Sequence, residues 1–226
     1  MEAQPVQPKS LLLCVTGSIG AATSAALLLQ TLVERRIFKD IFVAISQCAL
    51  KFVREEPFAV LSKRKCITDL FEEVVSGRVA HVEVARKCQI ALIAPASANT
   101  IAKLAHGICD DTVTNMLSVF EGQRVIVPAV HPATSRKPSF ERNMRQLQQD
   151  GFILCGPVPG YSLSEDRRGP DVAAMPSPET TAAFVEYLAH TGEPPPIKFA
   201  YPRPDAAAPR QEYAEVSNKA GDATDK

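Results

Sequence analysis

An apolar run, Gln89-Ile-Ala-Leu-Ile-Ala94, leads directly into Pro95-Ala-Ser-Ala-Asn-Thr100. A short apolar run closed by a turn signal suits a strand buried on both faces. The next segment, Ile101 to Gly107, has helical spacing and a glycine stop. Small hydroxyl and amide residues therefore stand where a strand ends and a helix begins. In an open parallel sheet, ligands bind at such junctions. Free backbone N–H groups at a helix start favour an anion or a polar ring edge. Ser97, Asn99 and Thr100 add donors without filling the space. A helix cap made of small residues would use the same pattern.

The rest of the chain alternates strand and helix signals. Strands are expected at Ser10–Val15, Ile41–Ile45, Ile90–Ala94, Arg124–Val127 and Phe152–Cys155. Helical patterns run over Ala21–Arg36, Gln47–Val53, Thr68–Val75, Asn99–His106, Asp111–Phe120, Ser139–Gln149 and Pro178–His190. Ser177 is the expected N-cap of the last helix, with Pro178 at its first position. Alternation of this kind predicts an α/β fold, an open parallel sheet of Rossmann-like or flavodoxin-like type with helices on both faces. Residues 9–190 read as one domain. Residues 1–8 and the Pro-, Ala- and charge-rich stretch 191–226 lack the apolar periodicity that repays chain ordering, and are expected to be disordered.

Composition narrows the function class. The 226 residues are 46% hydrophobic, enough for one core, and the formal net charge is zero. Nothing suggests a nucleic-acid or anionic-membrane partner. No apolar run reaches a membrane span, and no basic segment precedes a signal core, so a cytoplasmic location is expected. The six cysteines form no Cys-x-x-Cys pair, so no metal site is expected. Cys14 and Cys155 fall in strand patterns and read as packing residues.

Pro95 to Thr100 resembles the PASANT motif of the homo-oligomeric flavin-containing cysteine decarboxylases. Gly107-Ile-Cys-Asp-Asp-Thr-Val-Thr114 resembles a second stretch of that superfamily. Leu13-Cys-Val-Thr-Gly-Ser-Ile-Gly20 resembles its first strand and flavin loop, and His81, fourteen residues before Pro95, matches its active-site histidine in spacing. The superfamily holds peptidyl-cysteine decarboxylases of peptide natural-product biosynthesis and phosphopantothenoylcysteine decarboxylases of coenzyme A synthesis.

The opening loop, Thr16-Gly-Ser-Ile-Gly20, lacks a G-x-G-x-x-G dinucleotide pattern, but it suits a single phosphate. Gly17 permits close backbone approach and Ser18 offers a hydroxyl. That favours FMN over FAD. The resemblance adds Ile19, Ser46 and Phe52 to the flavin contacts. It sets Ser97, Ala98, Asn99 and Thr100 against the ring, at a border between subunits of a trimer or of a dodecamer of trimers. It makes His81 the catalytic base that takes the thiol proton of a C-terminal cysteine.

Two departures bear on substrate. Gly160-Tyr-Ser-Leu-Ser-Glu-Asp166 aligns with a loop in which the coenzyme A branch carries a cysteine that reprotonates the enethiol; Ser164 stands there. A hydroxyl is too weak an acid to replace a thiol well. The resemblance thus implies oxidative decarboxylation that stops at the enethiol, on a precursor peptide ending in Cys, a route to aminovinyl-cysteine. In Pro128-Ala-Val-His-Pro-Ala-Thr-Ser135, His131 replaces an Asn that contacts the substrate carboxylate in relatives. His131, Tyr161 and Ser164 are the expected substrate contacts, with 160–169 as a lid carrying Arg167 and Arg168. Gln89 and Asp111 also depart from the pattern. Alternative readings are a phosphopantothenoylcysteine decarboxylase, a non-catalytic flavoprotein regulator, and a flavin prenyltransferase, which the opening loop and PASANT fit less well.

Overall fold

The computed structural model describes residues 9–69, 74–75, 78–162 and 167–197. Its centre is a parallel five-stranded sheet of β1 (Ser10–Val15), β2 (Asp40–Ile45), β5 (Ile90–Ala96), β6 (Gln123–Pro128) and β7 (Phe152–Leu154). The strand order is β2-β1-β5-β6-β7. The chain winds outward in one direction from β1 to β2, then crosses back to β5 and winds the other way. The reversal falls between β1 and β5, where an open α/β sheet forms its ligand crevice. All five expected strands are present within a residue or two of their expected ends.

Every residue of β1 and β5 is buried, as two-sided covering requires. Along β1 the side chains alternate between two cores. Leu11, Leu13 and Val15 pack with α1 (Ala26–Arg35), α2 (Glu56–Ser62) and α8 (Pro178–Thr191). Leu12 and Cys14 pack with α3 (Ala80–Lys87), α4 (Ala98–Ala105), α5 (Thr112–Ser118) and α7 (Pro138–Gln149). Each fully buried Leu or Ile contributes about 1.5–3 kcal/mol, so these two layers hold the sheet flat against its helices. Cys14 and Cys155 are wholly buried, as packing residues are, and that burial raises their thiols well above the ordinary range, the latter to about 12.

Ser177 caps α8, its hydroxyl accepting from Thr180 N–H at 3.1 Å, with Pro178 in the first turn. Gly192, at φ +79°, ends it. The first helix opens with a π-turn at Ala21–Ala25 before α1. Only Ala49–Lys51 of the expected 47–53 helix is helical, as one 3-10 turn.

The structure corrects two local expectations and places His81. The described residues of Thr68–Val75 are not helical: Thr68 and Asp69 follow an isolated bridge from Ile67 to Ala44, and β3 (Val74–Val75) pairs antiparallel with β4 (Arg78–Val79). His81 stands in the first turn of α3, two residues after β4. Of residues 160–169, those described, 160–162 and 167–169, are paired strand rather than plain loop. They belong to a hairpin of β8 (Val158–Ser162) and β9 (Arg167–Ala174), in which a Cβ at Gly160 would meet the Ala174 Cβ at 2.3 Å.

Both unexplained departures have structural partners. Gln89 Oε1 accepts from Ser10 N–H at 2.8 Å and its Nε2 donates to Lys87 O, closing the start of β1. Asp111 is the N-cap of α5 in a reciprocal capping box with Thr114, and its second oxygen accepts from Lys103 Nζ at 2.9 Å. Residues 1–8 and 198–226, expected to be disordered, lie outside the described residues.

Candidate functional site

The C-terminal ends of β1 and β5 are joined by a buried hydroxyl. Thr16 Oγ1 donates to Pro95 O at 2.7 Å and accepts from Ser97 N–H at 2.9 Å. The opening loop and PASANT are therefore one unit. Ser97 caps α4, its Oγ accepting from Thr100 N–H at 3.2 Å and lying 3.0 Å from Thr100 Oγ1. Ser97 and Thr100 are buried, Ala98 is half-buried and Asn99 is exposed. So the capping role of Ser97 and Thr100 is real, and Asn99 is the PASANT side chain turned outward.

In the opening loop, Gly20 N–H donates to Ser18 Oγ at 3.2 Å and Ala21 N–H to Ser18 O at 2.9 Å. A Cβ at Gly17 would stand 2.7 Å from Cys48 Cβ and 3.1 Å from Cys48 C, so only glycine lets this loop touch the turn after β2. Ser46 anchors that turn: its N–H donates to Val15 O at 3.0 Å, and its carbonyl accepts from Ala49 N–H at 2.8 Å. A Cβ at Gly20 would lie 3.3–3.5 Å from Ser18 Oγ, Pro95 Cβ and Ala129 Cβ. Without a side chain, Gly20 lies close against the ends of β5 and β6, and this meeting of β1, β5 and β6 is the candidate cradle. Two large apolar side chains flank these loops in solvent, Ile19 at 57% and Phe52 at 46% exposed. A meeting of three strand ends with exposed apolar side chains beside it is where an open α/β sheet takes a flat, phosphate-bearing cofactor.

The Flavoprotein family profile matches residues 2–190. This chain belongs to the Flavoprotein family. It is 34% identical over 153 residues to the coenzyme A biosynthesis bifunctional protein CoaBC of Bacillus subtilis, an alignment covering 68% of this chain and 37% of that protein. The chain thus spans under two fifths of that bifunctional relative. It is 29% identical to a probable phosphopantothenoylcysteine decarboxylase of Streptococcus mutans, covering 70% of this chain and 92% of that one. The fold is similar to the crystal structure of the FMN-dependent cysteine decarboxylase SpaF, with a TM-score of 0.68 and 25% identity over 82% of this chain and 99% of the other. The superfamily of flavin-containing cysteine decarboxylases suggested by PASANT is the one these comparisons find.

In this Flavoprotein-family chain the remaining candidates fall in two places. His81 stands on α3, which packs against α5; its Nδ1 is buried and meets no hydrogen-bond partner. His131 follows β6 as the N-cap of α6 (Pro132–Ser135), its Nδ1 accepting from Ala133 N–H at 3.0 Å. In the neutral ring that cap places the proton on Nε2, which makes His131 a donor there. The β8–β9 hairpin packs on α6 through β9 and carries the exposed Tyr161. Ser164 lies outside the described residues, as do the side chains of Arg167 and Arg168.

Thr16 is the residue sequence reasoning passed over. Nothing in its spacing marks it, because its partners are 79 and 81 positions away. Among the described residues no cluster of His, Cys, Asp and Glu could hold a metal, and no helix is long and apolar enough to cross a membrane. A groove of about 340 Å³ runs along the exposed face of α7, and a cavity of about 200 Å³ opens between Leu104, Ile108, Leu117, Arg124 and Phe152. The cavity sits where β6 and β7 begin, the opposite end of the sheet from the cradle.

Proposed function

We propose that the chain is an FMN-dependent decarboxylase acting on the C-terminal cysteine of a peptide, with an enethiol product. The observation that carries this reading is the pair of strand-end loops fused through Thr16 at the reversal of the sheet, with Gly20 close against Pro95 and Ala129. Gly17, Ser18 and Ile19 would hold the phosphate end of FMN, and Ser46 and Phe52 the adjoining turn. Ser97, Ala98, Asn99 and Thr100 would form the wall against the ring, with Asn99 as its outward donor. When bound, FMN supplies the oxidising power that takes a hydride from the cysteine Cβ.

The protein's own side chains do the rest. His81 takes the thiol proton as the hydride leaves, so the substrate becomes a thioaldehyde. Its C=S group lies β to the carboxylate and accepts the electron pair released as CO₂ departs. His131, with its proton on Nε2, donates to that carboxylate and orients it. Tyr161, from the hairpin that packs on α6, would bound the substrate, and Ser164 would join it there. The exposed Ile19 and Phe52 support a site completed by a second copy of the chain, as in a trimer or a dodecamer of trimers.

The stop at the enethiol rests on the sequence of the hairpin, where no cysteine stands between residues 156 and 226. Cys155, the nearest thiol in the chain, is wholly buried and held protonated by that burial. A peptide ending in Cys should lose about 46 mass units, CO₂ plus two hydrogens, after incubation with the flavin-loaded protein. A second reading, phosphopantothenoylcysteine decarboxylase, is favoured by the 34% identity with the Bacillus subtilis protein. It gives a redox-neutral loss of about 44 units from phosphopantothenoylcysteine and none from the peptide.

A further inference from the structure

Positive charge gathers at one helix. Between positions 136 and 149, Arg136, Lys137, Arg142 and Arg145 stand against a single acid, Glu141, in a chain whose formal net charge is zero. All four cations are exposed. Phe140, Asn143, Met144 and Leu147 turn the other face of α7 into the core. The solvent face, from Pro138 through Glu141, Arg142, Arg145 and Gln146 to Gln149, lines the groove of about 340 Å³. Arg145 pairs with Glu141 one turn earlier, and Asp150, just beyond the helix, accepts from Gln146 Nε2 at 2.9 Å. Arg142 has no ion-pair partner among the described residues.

The groove opens beside the substrate end of the site. His131 caps α6, a helix of four residues, and Lys137 N–H donates to Thr134 O at 3.0 Å, turning the chain directly into Pro138. α6 packs against both α7 and the β9 strand of the hairpin. The far end of the groove, at Gln149, adjoins Asp150, whose carbonyl accepts from Arg124 at the start of β6. The groove therefore leads from the neighbourhood of His131 along the length of the sheet.

We propose that this groove docks an acidic segment of the substrate peptide upstream of its terminal Cys, with Arg142 and Arg145 meeting its carboxylates and Gln149 its backbone. The inference rests on the peptide reading and names the kind of peptide. The 12 residues of α7 span about 18 Å, room for about five extended residues. With those that cross α6, the acids fall about four to eight positions before the Cys. Exposed ion pairs are individually weak and screened by salt, so the groove ranks peptides and steers their approach rather than anchoring them. Glu141 within the row and the zero net charge of the chain disfavour a polyanion such as RNA.

The test uses the flavin-loaded full chain and fluorescent peptides ending in Ser in place of Cys, which bind without turning over. One carries Glu residues about four to eight positions before the end, a second carries the same residues at its opposite end, and a third carries Gln instead. The first should bind about 3- to 10-fold more tightly than the others at low salt, and the advantage should fade as salt rises. Arg142→Gln combined with Arg145→Gln should abolish the advantage, and Arg142→Glu combined with Arg145→Glu should reverse it. Flavin content reports that both double variants fold. Equal binding wherever the acids stand, an advantage that survives both double variants, or tighter capture of a single-stranded RNA than of the first peptide overturns the proposal. If the peptides bind in the expected order but their Cys-terminal forms are not decarboxylated, the proposed function fails and the docking surface stands. If the Cys-terminal forms are decarboxylated without regard to their acids, the function stands and the docking surface falls.

Discussion

Ser97 and Thr16 are bound through one hydroxyl: the Ser97 N–H donates to Thr16 Oγ1 at 2.9 Å, and the same oxygen donates to Pro95 O at 2.7 Å. Both residues are buried. The start of α4 is thereby locked to the end of β1, and neither loop can move without the other.

Thr16→Val removes the hydroxyl and keeps the shape. It leaves Ser97 N–H and Pro95 O without that partner in a buried place, at a cost of about 1–3 kcal/mol. Flavin content after purification should fall severalfold, while Thr16→Ser should retain it. Absorbance of the released flavin reads both, and full flavin retention in Thr16→Val would show that the two loops bind independently.

The two glycines of the opening loop should separate fold from cofactor. Gly17→Ala drives a Cβ into the Cys48 backbone, so the loop must shift and thermal stability should drop. Gly20 has an ordinary helical backbone (φ −61°, ψ −21°), and an added Cβ there touches only at 3.3–3.5 Å. Gly20→Ala should leave unfolding within about 0.5 kcal/mol of the parent. It should still weaken FMN binding, because the methyl group occupies the cradle. Calorimetric titration with FMN on the stripped protein measures this, and unchanged affinity would move the phosphate elsewhere.

Asn99→Asp puts a carboxylate on the exposed side chain of PASANT. A ring that gains negative charge on reduction would be opposed by it. Flavin reduction by a Cys-terminal peptide, followed at the flavin absorbance band, should slow by about tenfold or more. An unchanged rate would remove Asn99 from the ring wall.

Lys103 donates to Asp110 at 2.6 Å and Asp111 at 2.9 Å. The hydrogen bond from Lys103 holds the Asp110 carboxyl below its usual range, and the same pair holds the Lys103 ammonium above its own. A depressed carboxylate stabilises the fold above its unfolded pKa and loses that contribution as pH falls through the folded one. The stability gap between the parent and Lys103→Met should therefore be present at neutral pH and shrink below about pH 4. Urea melts at the two pH values test it; a gap that grows in acid would contradict the sign. Asp111→Asn keeps the cap and loses only the ion pair, so it should cost less than Asp111→Ala, which loses both at about 1–2 kcal/mol.

The five core strands were legible in the chain because burial on both faces leaves apolar runs that no other element of that length needs. PASANT was legible because it directly follows such a run and resembles a family motif, although small donors there also serve as a helix cap. The helix carrying His81 was not. Val79-Ala-His-Val82 is rich in β-branched residues; Val79 ends β4, and the helix from Ala80 onward is seated in the core through Ala85. The β8–β9 hairpin was hidden by Pro159, Gly160, Gly169 and Pro170, which read as loop until the register shift at Pro159 and Gly160 absorbs them. The sequence by itself determined the alternation of elements, the two-sided core and the small-residue junctions. Which junctions meet was decided only in three dimensions. Thr16 and Ser97 are 81 residues apart, and a hydrogen bond between them exists only because β1 and β5 lie side by side at the reversal of the sheet. Local propensity acts over a few residues, whereas that adjacency comes from closing a loop of some eighty, a cost that burial of both strands repays.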